Sequence, residues 1–147
     1  MKQYLLMSLL FALLFSCDSD DNVHTEIPSV VLNAFHQEYP KALEEGWRQK
    51  DSLYEVDFEI GDRDHSARLN AEGRIIGEKR EIAMKEIPQA VLSGLNRNFE
   101  RSDLGDPELV ELRGRSLYQL ELDKILFDEK IVLDETGKII TNIPYWD

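Results

Sequence analysis

The segment Tyr54-Glu-Val-Asp-Phe-Glu-Ile60 is the most informative about the fold class, because apolar and acidic residues alternate along it without interruption. Successive side chains of a β-strand point to opposite faces of a sheet, so the apolar residues would line a core and the acids would face water. The acids are Glu55, Asp57 and Glu59. The pattern therefore predicts a strand with one buried and one wet face.

The same pattern recurs further along the chain, which indicates an internal repeat. Sixty-four residues after Tyr54, Val56 and Phe58 stand Tyr118, Leu120 and Leu122. Ile27-Pro28, which opens an earlier apolar stretch, recurs sixty residues on as Ile87-Pro88. Gly73 lies in a turn that recurs around Gly137. We interpret this as a duplication, with repeats at residues 27–83 and 87–143.

Each repeat is predicted to begin with an amphipathic helix. In the first repeat, apolar residues from Ile27 to Tyr39 recur at helical spacing, and polar residues occupy the other face. Pro28 suits the first turn of a helix, and Pro40 would end it.

Turn signals then divide each repeat into four predicted strands. We expect these strands at residues 43–49, 54–60, 65–70 and from 74 onward, and again at 109–113, 117–122, 125–133 and 138–143. A unit of about sixty residues is marginal by itself, so the two repeats should share an interface or one continuous sheet. The predicted fold class is α+β, a tandem repeat of one helix plus a four-stranded antiparallel sheet, within one domain at 27–147.

Residues 1–16 have the pattern of a signal peptide. Lys2 precedes an apolar run from Tyr4 to Phe15, which is shorter than the roughly 20 residues that a membrane-spanning helix needs. The end of this run, with Ser16 and Cys17, resembles the lipobox of bacterial lipoproteins, in which the cysteine is lipidated. Cys17 is the only cysteine, so a disulfide is not a competing use. A plain secretory signal is the alternative.

Residues 17–26 are predicted to form the lipidated cysteine and a short acidic tether. Asp18, Asp20 and Asp21 follow Cys17. Acids at this point resemble a surface-export signal in some Gram-negative groups and an inner-membrane retention signal elsewhere. The predicted location is therefore lipid-anchored in the periplasm or at the outer membrane, with surface exposure left open.

The charge balance excludes one large class of partner. The chain has a formal net charge of −12, which becomes −13 once residues 1–16, with their single Lys, are removed. Nucleic acid is bound by clustered Lys and Arg, and here these residues are interleaved with acids. Anionic lipid headgroups would also repel the chain, so the lipid anchor is expected to hold the membrane.

At this stage the motifs resemble a known family. The Ile-Pro helix starts, the strand around Trp47, the strand Tyr54–Phe58 and the turns at Gly73 and Gly137 look like the PepSY-like domain of secreted Gram-negative lipoproteins. That family is described as similar in fold to the beta-lactamase inhibitory protein. The resemblance implies a beta-lactamase-inhibitor-like fold and the binding or inhibition of proteins, peptidases in particular. It supplies no catalytic residues.

Motifs for catalysis or for a cofactor are not found in the sequence. His24, His36 and His65 have no metal-binding spacing, and each is expected to be solvated. Five carboxylates lie within the ten residues from Glu55 to Asp64, a composition that could offer oxygen ligands to Ca²⁺. The wet face of a strand explains three of them better, and Asp62-Arg63-Asp64 lacks the Gly and the distal Glu of a calcium loop. We therefore predict no metal and no cofactor.

The remaining prediction is a non-enzymatic protein- or peptide-binding module that uses the helix-free face of the sheet. Its acids would recognise a basic surface on the partner. The predicted contact residues are Glu55, Asp57, Glu59, Gln119, Glu121, Trp47 and Trp146. Trp47 is either a core residue or an anchor, and Trp146 either closes the second sheet or projects as a hydrophobic handle. The alternative is a small-ligand or cation-binding protein, or a hydrolase with an unrecognised site.

Overall fold

The computed structural model describes residues 26–100, 104–123 and 128–147, and all statements below concern these residues. The predicted signal peptide, Cys17, His24 and the tether up to residue 25 lie outside them. The elements are α1 (Ser29–Glu38), β1 (Leu43–Lys50), β2 (Leu53–Ile60), β3 (Arg63–Leu69), β4 (Ile75–Glu81), a 3₁₀ turn (Met84–Glu86), α2 (Gln89–Asn98), β5 (Glu108–Leu112), β6 (Arg115–Leu122) and β7 (Glu129–Asp134).

The seven strands form a single antiparallel sheet in the order of the chain, from β1 to β7. The two predicted repeats are joined at its centre, where β4 pairs with β5 from Gly77↔Leu112 to Glu81↔Glu108. Of the two arrangements that the sequence left open, the structure has the continuous sheet. A strand boundary in the middle of the sheet would expose two edges, and this pairing removes both.

The eighth predicted strand, at residues 138–143, is wrong. The start of this stretch is joined to β7 by an isolated bridge, Leu133↔Ile139, and by hydrogen bonds from Ile140 N to Val132 O (2.8 Å) and from Asp134 N to Lys138 O (3.0 Å), but it does not continue as a strand. The chain then leaves the sheet edge and crosses the sheet surface, where Ile143 and Tyr145 pack against a buried cluster that includes Trp146. The second half of the sheet therefore has three strands instead of four.

Both helices lie on the same face of the sheet, as predicted. Phe35 of α1 is fully buried and packs against Phe58 of β2, with ring centroids 4.9 Å apart. Leu95 of α2 is fully buried in a second cluster with Tyr118 of β6. Phe58 and Tyr118 belong to one lateral row of paired residues across the sheet, which places the two cores side by side.

Two turn glycines set how closely the helices approach the sheet. A Cβ on Gly73 would lie 2.9 Å from Val30 O of α1, and a Cβ on Gly137 would lie 2.3 Å from Ala90 O of α2. Both glycines also have positive φ angles, 79° and 78°, which L side chains rarely adopt. Each helix therefore rests directly on the backbone of a glycine turn.

The helices are short, at ten residues each. Among the described residues, none has the length and apolar content that crossing a bilayer would require.

Candidate functional site

The helix-free face of the sheet carries a buried carboxylate in its first half. Glu55 of β2 is fully buried and is bound on both sides by arginines, by Arg48 from β1 and by Arg68 from β3. Lateral pairing places these three side chains in one row across the strands. The prediction that Glu55 is a solvated partner-contact residue is wrong, because two cations enclose its carboxylate.

Asp57 lies one row further along β2 and is half-exposed. It accepts a hydrogen bond from Ser66 Oγ (2.7 Å) and is also paired with Arg48. Burial raises the pKa of the Asp57 carboxyl, but the hydrogen bonds from Arg48 and Ser66 outweigh burial and hold this pKa below its usual value. Asp57 is therefore charged and in place, with one edge open to solvent.

The second half of the helix-free face is covered by the chain itself. Trp146 is 3% exposed and packs on an apolar patch formed by Val110, Leu117 and Val132. We call residues 143–147 the Trp146 segment. Of the two roles that the sequence left open for Trp146, the structure shows the closing role, and the projecting handle is wrong. Apolar side chains on the outer face of β5–β7 explain why the chain covers them.

Gln119 of β6 holds the Trp146 segment by its main chain. Gln119 is 1% exposed; its Nε2 donates to Trp146 O (2.8 Å), and its Oε1 accepts from Trp146 N (3.0 Å). The same Nε2 also donates to Glu108 Oε2 (2.6 Å), and Lys79 Nζ donates to Trp146 O (3.1 Å). Gln119 therefore cannot serve as an exposed contact residue; it binds the main-chain N–H and C=O of one residue, as a neighbouring strand would.

Trp146 also joins the two halves of the face. Its ring lies over Gly77 of β4, where an added Cβ would come within 3.2 Å of the indole. The guanidinium of Arg68, whose residue pairs with Gly77 across the sheet, lies over the ring at 3.9 Å from its centroid. A cation over an aromatic face is attracted by the ring quadrupole. The Glu55 ion-pair network and the Trp146 segment are thus in direct contact.

Beside these features runs an acidic groove on the helix-free face. It consists of two open hollows of about 400 and 570 Å³ that share Asp64, Lys79, Glu108 and Asp147. Ten carboxylates line it, against the two cations Arg48 and Lys79. The carboxylates belong to Glu44, Asp57, Glu59, Asp64, Glu81, Asp106, Glu108, Glu121, Asp123 and Asp147. The groove therefore carries a strong local excess of negative charge.

Three of the predicted contact residues line this groove, namely Asp57, Glu59 and Glu121. Glu121 lies 3.5 Å from Lys130, which is also paired with Asp147. Trp47 lies elsewhere: it pairs with Val56 and faces the helices, where its ring centroid is 5.1 Å from that of Phe35. Trp47 is therefore a core-side residue, one of the two roles that the sequence left open.

The described histidines do not form a catalytic or metal-binding group. His36 is exposed, and its Nε2 lies 2.9 Å from Glu45 Oε1. His65 stacks on Phe58, with ring centroids 5.4 Å apart, and burial together with Arg80 and Arg63 lowers its pKa. His65 is half-buried and is therefore only partly solvated. Within the described ranges no group of three or more His, Cys, Asp or Glu residues is arranged to hold a metal ion.

Sequence reasoning missed the residues that organise this face. Arg48, Arg68 and Lys79 are cations at alternating strand positions, on the same face as Glu55 and Asp57. That alternation was visible in the sequence and signalled pairing with the acids. The contribution of Asp147 and Glu108 depends on where the chain turns after β7, for which the sequence has no local signal.

Comparisons with known proteins identify the fold. The sequence matches no protein-family model, and no curated protein matches it. The structure is similar to that of a BLIP-like protein from Bacteroides fragilis, with a TM-score of 0.65 and 18% identity over 83% of this chain and 89% of that one. The chain therefore has a BLIP-like fold. The resemblance to the PepSY-like domain implied a beta-lactamase-inhibitor-like fold, and this part of the prediction is confirmed.

Two further solved structures agree with this fold. A DUF2874 family protein from Bacteroides uniformis matches with a TM-score of 0.68 and 22% identity, and a proposed periplasmic protein from Bacteroides eggerthii with 0.70 and 19%. Both alignments cover 78% of this chain and 86% of the other. Identities this low show the fold alone and carry no residue roles.

Proposed function

We propose that this chain is a non-enzymatic, envelope-located binding module that captures a basic segment of a protein or peptide in the acidic groove. The observation that carries the proposal is the groove itself, where ten carboxylates and two cations line two connected hollows. A strand or loop rich in Lys and Arg complements this surface. Phosphate backbones are repelled by it, so nucleic acid is not the proposed partner.

The negative charge of the groove is suited to attracting basic partners and rejecting acidic ones. Most of its wall residues belong to strands of one sheet, so strand pairing sets the backbone positions of the carboxylates of β2, β4 and β6. Charge complementarity of this kind mainly raises the association rate and rejects partners of the wrong sign. Screening acts over about 8 Å at physiological ionic strength, so association with a basic partner should slow as salt rises.

The proposed location follows from the residues that precede the fold. The Cys17 pattern supports a lipid anchor, and the similarity to a proposed periplasmic protein supports an envelope location. Assignment to the PepSY-like family is part of the same proposal and rests on the motifs around Gly73 and Gly137. Inhibition of a particular enzyme is not included, since a shared fold does not transfer a target.

The proposal is tested with a fluorescent decapeptide of lysine and a matching decapeptide of glutamate. We expect saturable binding of the lysine peptide that weakens as NaCl rises from 20 to about 300 mM, and no binding of the glutamate peptide. Glu55 is unsuitable for charge reversal because it is buried. Glu59, Asp64 and Asp123 all line the groove, and reversing all three to Lys should abolish binding.

A matched control variant has the same change in net charge away from the groove. Glu38, Glu72 and Glu135 are exposed on the helix side and in turns, and their reversal to Lys should leave most of the binding intact. Equal loss in both triple variants would show that net charge alone attracts the peptide. Turnover of a substrate by the purified chain, with no peptide binding, would favour the hydrolase or small-ligand alternative.

A further inference from the structure

The Trp146 segment is bound to the sheet in a way that any extended peptide with an aromatic residue could reproduce. The hydrogen bonds that join Gln119 and Lys79 to Trp146 involve its main-chain N–H and C=O. Every non-proline residue offers the same two groups. The side chain that is selected is an aromatic one, because Gly77 leaves room for a flat ring and the Arg68 guanidinium lies over that ring.

The fit of Trp146 in this position is incomplete. Its Nε1 is buried and has no hydrogen-bond partner among the described residues. A buried donor without an acceptor is unfavourable, whereas a phenyl ring in the same place would bury no polar group. The position therefore accepts an aromatic ring in general, and its own occupant is not the best one.

The attachment of the segment is also local. No ladder of backbone hydrogen bonds joins residues 143–147 to a described strand. The segment is held by side chains: Gln119 and Lys79 bind Trp146, Ile143 and Tyr145 pack beside it, and Lys130 contacts Tyr145 and Asp147. Segments with few backbone hydrogen bonds detach at lower free energy than the core strands do. Detachment would uncover Val110, Leu117 and Val132 next to the acidic groove, which Asp147 also lines.

We propose that the Trp146 segment is an exchangeable occupant of a peptide-binding site on β4–β7, and that an extended partner segment with an aromatic residue takes its place. This inference rests on the proposed binding function of the helix-free face and adds how access to that face is controlled. The aromatic ring of the partner would replace Trp146 over Gly77, with its main chain on Gln119. Recognition of an extended peptide through main-chain hydrogen bonds plus one side-chain pocket is a common mode in proteins.

When a segment of the same chain occupies the site, the apparent affinity for a competing peptide falls. It equals the intrinsic affinity multiplied by the fraction of molecules in which the site is free. The test therefore uses a labelled peptide with the segment's own sequence, acetyl-Ile-Pro-Tyr-Trp-Asp, and a control peptide with Ala in place of Trp. The Trp146→Ala chain should bind the first peptide at least tenfold more tightly than the native chain does. The control peptide should not bind either chain.

Adding Gln119→Leu to Trp146→Ala should reduce the affinity for the peptide at least tenfold, because the main-chain contacts are lost. Equal affinities for the native chain and both variants would overturn the inference. This peptide contains no Lys or Arg, so the negative charge of the acidic groove does not attract it. Failure of the lysine decapeptide and failure of this peptide are therefore separate results.

Amide hydrogen exchange on the native chain is a second test, which does not require that Trp146→Ala folds. The Trp146 amide should exchange at least about a hundredfold faster than the amides of Leu117 and Leu120 in β6, since it needs only segment detachment. Equal protection of these three amides would show that the segment opens only when the whole sheet unfolds. That result would also overturn the inference.

Discussion

The two halves of the sheet are alike on the helix side and different on the other. Each half packs one helix on apolar side chains, with Phe35 and Leu95 fully buried. On the helix-free face, the first half buries Glu55 between two arginines, and the second half buries Trp146 on an apolar patch. The helix side therefore determines the fold, and the helix-free face is where the two halves have separate properties.

The contrast extends to the two fully buried polar side chains of that face. Glu55 contacts arginines that are themselves parts of strands β1 and β3. Gln119 contacts Glu108 of β5 and, through both ends of its amide, a segment that is not part of the sheet. The buried Glu55 thus links neighbouring strands in the first half, whereas the buried Gln119 holds a covering segment in the second half. Four predictions test this difference.

The largest effect is expected on the helix side, where the halves are alike. Phe35→Ala should lower the free energy of unfolding by about 3–5 kcal/mol and Leu95→Ala by about 2–5 kcal/mol, because both leave cavities in close-packed cores. Since β4 and β5 pair in one sheet, each substitution should shift the same cooperative transition in urea. Two transitions, each sensitive to one substitution only, would contradict this.

The second prediction concerns the buried ion pairs of the first half. Glu55→Gln leaves Arg48 and Arg68 without their shared carboxylate. The arginine side chains are 44% and 20% exposed and keep some access to water, so we expect a loss of about 1–3 kcal/mol, less than for fully buried charges. Urea unfolding measures it. Glu59→Gln, on the same strand and face, is the control and should change stability by less than about 0.5 kcal/mol.

These two predictions depend on features that the sequence revealed to different degrees. The alternation of apolar and acidic residues up to Ile60 predicts β2, and the helical spacing of apolar residues from Ile27 to Tyr39 predicts α1. Both are predictable because the period of the apolar residues depends on which face of the element is buried. Which acid of β2 is buried is not local information. Glu55 and Glu59 have the same periodicity, and only the lateral positions of Arg48 and Arg68 distinguish them.

The path of residues 138–147 could not be predicted for a related reason. An offset of sixty-four residues placed a strand at 138–143 by analogy with the first half. The outer face of β5–β7, however, carries Val110, Leu117 and Val132 where β2 and β3 carry charged residues. Covering this apolar patch competes with extending the sheet, and the competition is decided by tertiary packing. The acidic groove depends on that outcome, because Asp147 lines both of its hollows.

The third prediction compares two buried rings, Phe35 and Trp146. Although Trp146 is 3% exposed, Trp146→Ala should cost only about 1–2 kcal/mol, because the segment can detach and the loss is limited to its docking free energy. Phe35→Ala has no such limit, since its helix cannot leave without unfolding the half. Urea unfolding of both variants measures the difference. Equal losses would show that the two rings are equally integral to the fold.

The smallest expected effect is a pH dependence in the first half. The hydrogen bonds from Arg48 and Ser66 hold the pKa of Asp57 below its value in the unfolded chain, against the effect of burial. A carboxyl with a lowered folded-state pKa contributes stability above its unfolded pKa of about 3.9, and the contribution is lost as pH falls through the folded pKa. The Asp57 side chain is 47% exposed, so solvent screening limits the contribution to less than about 1 kcal/mol.

Asp57→Asn should therefore reduce the loss of stability between pH 5 and pH 2, with little change in slope above pH 5. Unfolding in urea at a series of pH values measures this, and Asp62→Asn, in the exposed turn between β2 and β3, is the matched control. Identical pH profiles for the native chain and the Asp57 variant would show that Arg48 stabilises the face through Glu55 alone.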